Sequence, residues 1–249
     1  MITITHKDRI RIATIAHGKA NALDIELSHA LARSVADFDA SSDIALVITG
    51  QGTMFSAGVD LVRVVDEGAD YVRTFLPAMC AAFEAVFASP KPIVAAVNGH
   101  AIAGGCVLAA ATDYRVMARG NGRIGIPELR VGVPFPTAPL EIMRFAATRH
   151  LPALVYGGAT FNADEALTHD IVDGIADADG LLDAAVAVAE PLAALPPAVF
   201  ALTKRAVRAP TMERIRAGAA HDREVVDTWA APETLALIRH YIARTFKKG

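Results

Sequence analysis

The segment Pro92-Ile-Val-Ala-Ala-Val-Asn-Gly-His-Ala-Ile-Ala-Gly-Gly-Cys106 decides how this chain is read. Ile93 to Val97 is a short, uninterrupted apolar run rich in β-branched residues, which predicts a strand buried on both faces. Asn98-Gly99 breaks it, and Gly104-Gly105 opens a second apolar stretch, Cys106 to Ala111, that fits the first turns of a buried helix. A strand that empties through a glycine turn into a helix N-terminus aims free backbone N–H groups at whatever sits above the turn. That geometry suits a developing negative charge.

The same grammar occurs earlier in the chain. Ile44 to Thr49 reads as a buried strand closed by Gly50-Gln-Gly52, and Met54-Phe-Ser-Ala-Gly-Val-Asp-Leu61 is a small-residue loop that leads into a helical stretch. One copy is compatible with packing alone; two copies can supply two converging N–H donors. Upstream, Ile2 to Thr5 and Arg9 to Ala16 flank His6-Lys7-Asp8 as a β-hairpin. Asp24 is an N-cap candidate for a helix carrying Leu27, Leu31, Val35 and Phe38. Tyr71, Phe75, Met79, Phe83 and Phe87 recur every four residues, an apolar stripe read as core. Downstream, Tyr114 to Ala118 is strand-like, and Glu128 follows Pro127 at the start of a helical turn. From Leu140 the pattern is helical, and Asn162 with Glu165 forms a capping-box-like start. Pro191, Pro196 and Pro197 mark a soft boundary before an all-helical tail, which divides the chain into residues 1–190 and 191–249.

The 249 residues are 53% hydrophobic and carry a net charge of −3, so there is no basic field for nucleic acid. The charged, alternating start is a strand and not a signal peptide, and no apolar run approaches a membrane span; a cytoplasmic location is expected. Two cysteines, Cys80 and Cys106, read as reduced core residues. The histidines show no ligand spacing, and no phosphate-binding glycine loop is present, so neither a metal nor a nucleotide cofactor is expected.

Phe55-Ser-Ala-Gly-Val-Asp-Leu61, Asn98-Gly-His-Ala-Ile-Ala-Gly-Gly-Cys106, Thr112-Asp-Tyr-Arg115 and Pro127-Glu128 stand in the order and spacing of the crotonase, or enoyl-CoA hydratase/isomerase, superfamily. The resemblance runs from the Ala20-Asn-Ala-Leu23 loop to Val172-Asp173 and, more weakly, through the tail. It implies an α/β spiral of ββα repeats with a C-terminal helical region that packs in trimers, often paired into hexamers. It also implies an acyl-CoA thioester substrate, with coenzyme A as part of the substrate and no separate cofactor. The thioester carbonyl would be held by two backbone N–H groups, which by motif position are Val59 and Gly104. A Cβ at 104 would be expected to crowd the thioester. Ala22, Leu23, Ala57, Gly58, Asp60 and Leu61 are implied as further substrate and CoA contacts.

The carboxylates separate the chemistries within this resemblance. Family hydratases carry one glutamate three residues beyond the second N–H donor, where this chain has Val107, and another in the Pro-Glu motif, here Glu128. Adding water requires one group to activate it while a proton reaches the α-carbon, and valine does neither. Moving a double bond from the 3 to the 2 position needs only a proton taken from C2 and returned to C4, which one carboxylate accomplishes. The local motifs are similar to the Δ3,Δ2-enoyl-CoA isomerases, which keep the single glutamate. Pro136 stands where dienoyl-CoA isomerases carry an aspartate. The alternatives are a hydratase of the same fold and an acyl-CoA-binding protein of low activity.

Read without the resemblance, the glycines are also explained by turn geometry, and Glu128 by the helix dipole. Asp60 reads better as a helix cap than as a catalytic group, and Asp113 as a pin for the next turn. His100 beside the glycine turn reads as solvent-facing or structural, and Ser56, His100 and Asp113 lack the signature of a hydrolase triad. Lys204, Arg205, Lys247 and Lys248 are candidate cations for CoA phosphates, or ordinary surface charge. Apolar residues between Val62 and Met79 are expected to set acyl chain length.

Overall fold

The computed structural model describes residues 1–147 and 149–245. Four successive units open the chain, each of two strands and a helix. They are β1 (Ile2–Lys7), β2 (Ile10–Ile15) and α1 (Ile25–Ala40), then β3 (Ala45–Gly50), β4 (Met54–Ser56) and α2 (Leu61–Ala88). The third is β5 (Ile93–Val97), β6 (His100–Ile102) and α3 (Gly104–Ala110), and the fourth β7 (Tyr114–Ala118), β8 (Ile124–Gly125) and α4 (Glu128–Val131). There follow α5 (Thr137–Ala146), α6 (Leu151–Gly157), β9 (Thr160–Phe161), α7 (Ala163–Thr168), β10 (Gly174–Ala176) and α8 (Leu181–Ala193). The chain ends in three helices, α9 (Pro197–Ala217), α10 (Ala219–Ala230) and α11 (Pro232–Thr245).

Six strands form one sheet in the order β1-β2-β3-β5-β7-β10, and four form another in the order β4-β6-β8-β9. In the second, third and fourth units the first strand joins the larger sheet and the second joins the smaller, so the chain winds as a spiral. This is the expected crotonase-like α/β fold with its C-terminal helices. Pairing in the larger sheet is parallel apart from the β1–β2 hairpin. The continuous apolar runs follow from burial on both faces. Leu46, Ile48, Ile93, Ala95 and Val97 join the main core. Their alternates Ala45, Val47, Val94 and Ala96 pack under α8 through Leu181, Ala185 and Val186.

Local expectations fare well where a cap or a period is strong. Asp24 accepts the Leu27 N–H at 2.7 Å, and Leu27, Leu31, Val35 and Phe38 are all buried. The capping box closes in both directions, Glu165 N–H to Asn162 and Asn162 N–H to Glu165, each at 2.9 Å. The aromatic stripe is core throughout. Three readings need correction. Met54-Phe-Ser and His100-Ala-Ile, read as loop, are strands of the smaller sheet, too short for a period of two to be legible. Helix α5 begins at Thr137 with Pro139 in its first turn, where a missing N–H costs no helical hydrogen bond. And α2, at 28 residues, is long and apolar enough to cross a bilayer by length and composition, although ten of its side chains are buried in this core and it is broken at Gly68.

The tail is tied to the spiral by a buried charge cluster. Asp113 accepts the Ile93 N–H at 2.8 Å, which pins the turn into β7, and also takes Lys204 Nζ at 2.6 Å and Arg208 Nη2 at 2.8 Å from α9. Arg208 further donates to the Phe87 and Thr112 carbonyls and lies over the Phe87 ring at 4.2 Å. Lys204 is therefore a structural cation and not a free phosphate ligand. Asp113→Ala leaves two buried cations without their anion, and a loss of about 3–5 kcal/mol in unfolding free energy is expected by urea titration.

Candidate active site

Two loops come together above the sheets. In the first, the Ser56 hydroxyl donates to the Asn21 carbonyl at 2.7 Å and accepts the Gly58 N–H at 3.1 Å. Leu23 and Val59 form a parallel bridge: Leu23 N–H donates to the Gly58 carbonyl at 2.7 Å, and Asp60 N–H to the Leu23 carbonyl at 2.9 Å. In such a bridge the N–H of Val59 points away from its neighbour. Asp60 caps α2 by accepting the Arg63 N–H at 3.0 Å, as its position suggested. Gly58 has φ +82°, and a Cβ there would lie 2.5 Å from the Ile102 carbonyl oxygen and 3.1 Å from the Gly104 nitrogen.

The second loop is the junction of β6 with α3. Gly104 is the first residue of α3, so its N–H has no carbonyl acceptor within the helix. The residue before it, Ala103, is held at φ 54°, ψ −124°, an uncommon conformation for a residue with a Cβ, and its N–H donates to the Gly125 carbonyl at 2.8 Å. Packing supplies a further reason for glycine at 104. A Cβ would lie 2.7 Å from Leu23 Cδ1 and 3.4 Å from Phe83 Cζ, so the buried Leu23 side chain would have to shift to make room.

Glu128 begins α4 and lines a cavity of about 750 Å³ together with Ala22, Ala57, Val59, Asp60 and Leu61. Its Oε2 is buried and has no hydrogen-bond partner. Burial in these apolar surroundings pushes its pKa up to about 8, a backbone hydrogen bond opposing the shift only in part. Val107, at the position of the second family glutamate, is fully buried in the core.

The cavity gathers most of the expected residues but not all. Leu23 is buried beneath it at 1% exposure and contributes through its backbone bridge, and Gly58 and Gly104 sit behind the wall. Leu61 and Val62 line it, whereas Met79 lies in the core. The opposite wall comes from residues that sequence reasoning missed: Val131, and from the terminal helices Trp229, Tyr241 and Thr245. The distance of the three terminal-helix residues along the chain left no local signal, whereas Val131 stands one turn beyond Glu128 on the same helix. His17 and Lys19 also line it, and Lys19, a cation two residues before Asn21-Ala22-Leu23, was visible in the sequence. His100 lines the cavity and is partly exposed, which is compatible with the solvent-facing reading. Ser56 and Asp113 are engaged elsewhere, so the three form no triad. Arg205 is exposed on α9, away from this cavity, and Lys247 and Lys248 lie outside the described residues. Among the described residues, no group of three or more His, Cys, Asp or Glu side chains could hold a metal ion.

Because the folded state holds the Glu128 proton more tightly than the unfolded chain, its contribution to stability is complete below about pH 4.5 and is lost as pH rises through about 8. Within that window each pH unit is expected to cost wild type up to about 1.4 kcal/mol relative to Glu128→Gln, read from denaturant unfolding of both proteins between pH 5 and 9.

Residues 7–235 match the sequence profile described as Enoyl-CoA hydratase/isomerase. A putative enoyl-CoA hydratase of Thermus thermophilus is 34% identical over 190 residues, 75% of each chain. A solved structure of a Mycobacterium tuberculosis protein described as an enoyl-CoA isomerase superposes with a TM-score of 0.81 at 32% identity, covering 93% of this chain and 98% of that one. Another structure of the same protein, described as a probable enoyl-CoA hydratase, superposes with a TM-score of 0.82 at 32% identity, covering 96% and 99%. The human mitochondrial Δ3-Δ2-enoyl-CoA isomerase shares the fold, with a TM-score of 0.94 at 22% identity over 100% and 99% of the two chains. With the motifs, the spiral of ββα units and the profile match all in agreement, this chain belongs to the enoyl-CoA hydratase/isomerase family.

Proposed function

We propose that the protein isomerises a 3-enoyl-CoA to the 2-enoyl-CoA through a thioester enolate, with Glu128 as the only proton carrier. The observation that carries this reading is a carboxyl group buried without a partner in the same cavity as Val59, with Val107 in place of a second acid. The thioester carbonyl accepts the N–H groups of Val59 and Gly104. Ionised Glu128 takes a proton from C2, the electron pair moves into the thioester as an enolate, and the two donors stabilise its oxygen by about 3 kcal/mol each. The Glu128 proton then returns to C4, the double bond settles between C2 and C3, and the carboxylate is regenerated. A base whose pKa is near 8 is far better matched to a weakly acidic carbon than an ordinary carboxylate.

Lys19 at the rim is the proposed contact for the CoA phosphates, in place of the cations on α9. Val199, Leu202 and Val207 on α9 are exposed in the single chain, which supports a trimer that covers them.

Glu128→Gln is expected to lower turnover of a 3-enoyl-CoA by about 10²- to 10⁴-fold. In wild type, kcat/KM should rise with pH to a plateau with an apparent pKa near 8, and near wild-type turnover by the variant would sink the reading. Hydration of crotonyl-CoA is expected to be very slow by comparison, and robust hydration would favour the hydratase alternative; saturable binding of both positional isomers without interconversion would favour the acyl-CoA-binding one. Lys19→Ala should raise KM for the CoA thioester while leaving that for the matching pantetheine thioester, which lacks the nucleotide, unchanged.

A further inference from the structure

We infer that Arg63 is a positioning residue that sets the Val59 N–H, by locking the start of α2 onto the start of α1. The inference rests on the reading of that N–H as a donor to the thioester. Leu23-Asp24 and Val59-Asp60 lie side by side in the same arrangement, a bridge residue followed by an aspartate that caps the next helix. The bridge is isolated, with two backbone hydrogen bonds of its own, and further ties between the two loops, Ala57 N–H to the Ala20 carbonyl at 3.0 Å and the Ser56 hydroxyl to the Asn21 carbonyl at 2.7 Å, lie before Val59. Residues 59–67 are also bounded by two glycines with positive φ, Gly58 at +82° and Gly68 at +75°, and at Gly68 (ψ −152°) the helix is interrupted. The wall that carries Val59, Leu61 and Val62 is thus a short piece between two backbone breaks, and side chains must supply its stiffness.

Arg63 has the reach for this. Its Nη2 donates to Glu26 Oε1 at 3.0 Å and its Nη1 to Glu26 Oε2, a forked pair with the first turn of α1. Nη1 also stands 3.4 Å from the α1 cap, Asp24, which in turn pairs with His17 on the cavity rim at 2.6 Å. Nε donates to Glu67 at 2.5 Å on the near side of the Gly68 break, and the guanidinium lies over the Tyr71 ring at 4.8 Å on the far side. One planar group therefore joins α1, the first turns of α2 and the main body of α2. Lysine has neither the fork nor the flat face to do so. The same bond holds the Glu26 carboxyl well below its usual range, at about 2. A second, lighter tie, Arg239 to the Val65 carbonyl at 3.2 Å, reaches the segment from α11.

The test uses the carbonyl stretch of ¹³C-labelled butyryl-CoA, which lacks a double bond to move, bound to wild type, Arg63→Gln, Arg63→Lys and Glu26→Gln. The wild-type band is expected below that of the free thioester, because two N–H donors polarise the carbonyl. In Arg63→Gln it should move back towards the free position, kcat for a 3-enoyl-CoA should fall about ten- to a hundredfold, and KM should change by less than about threefold. The Glu128-dependent limb of the pH profile should stay in place, and Arg63→Lys should recover only a small part of the shift. A full wild-type band shift and kcat in Arg63→Gln, or a loss confined to KM, overturns the inference. Absence of any shift in wild type defeats instead the reading of Val59 on which it rests. If Arg63→Gln does not fold, Glu26→Gln decides in its place, since it removes only the partly exposed partner of the fork: an unchanged band overturns the proposal.

Discussion

The whole arrangement depends on how closely two stretches of backbone approach each other. The loop after β4 lies against the turn between β6 and α3, where a Cβ on Gly58 would meet the Ile102 carbonyl at 2.5 Å and one on Gly105 would meet that of Ser56 at 2.3 Å. Only glycine allows such contact. Each loop then carries an N–H directed away from its own local partners, at Val59 by the polarity of a parallel bridge and at Gly104 by its place at the head of a helix. The spiral fold is what sets these two unrelated devices side by side, since successive units each deliver a strand to the smaller sheet at the same level.

Against this frame stands the Glu128 carboxyl group, whose pKa is set by burial, whereas Asp60 in the same cavity caps α2. Desolvation dominates the titration of Glu128 and holds its proton more tightly than an ordinary carboxylate would. The contrast with Asp113 is instructive. That carboxylate meets two cations and a backbone N–H and serves to join the tail to the spiral, while Glu128 Oε2 meets none. Two acidic residues are thus set apart by what surrounds them and not by type.

The terminal helices complete the cavity. Trp229 is buried, with its indole N–H donated to the Pro134 carbonyl at 2.9 Å, so its ring orientation is fixed where it borders the site. His221 makes a similar bond to Phe135 at 3.0 Å, and Asp222 accepts the Thr137 N–H at 2.7 Å. The segment around Pro134 and Pro136 is therefore held by α10.

Many of the individual strands and helices were legible in the residues themselves, and the spiral that joins them was implied by the family resemblance. Alternation and apolar runs disclose β3, β5 and β7, side-chain caps disclose α1 and α7, and the linked motifs disclose the family and point to Val59, Gly104 and Glu128. The strand and helix signals are local, arising from periodicity and capping chemistry within a few residues, whereas the site residues are what the family resemblance implies. What only the tertiary structure decided is long-range: that Leu23 packs under Gly104, that Lys204 neutralises Asp113, and that Trp229 and Tyr241 line the cavity with Glu128. No pattern within either segment records such a contact, because its energy exists only once chain segments as much as a hundred residues apart have been brought together and dried.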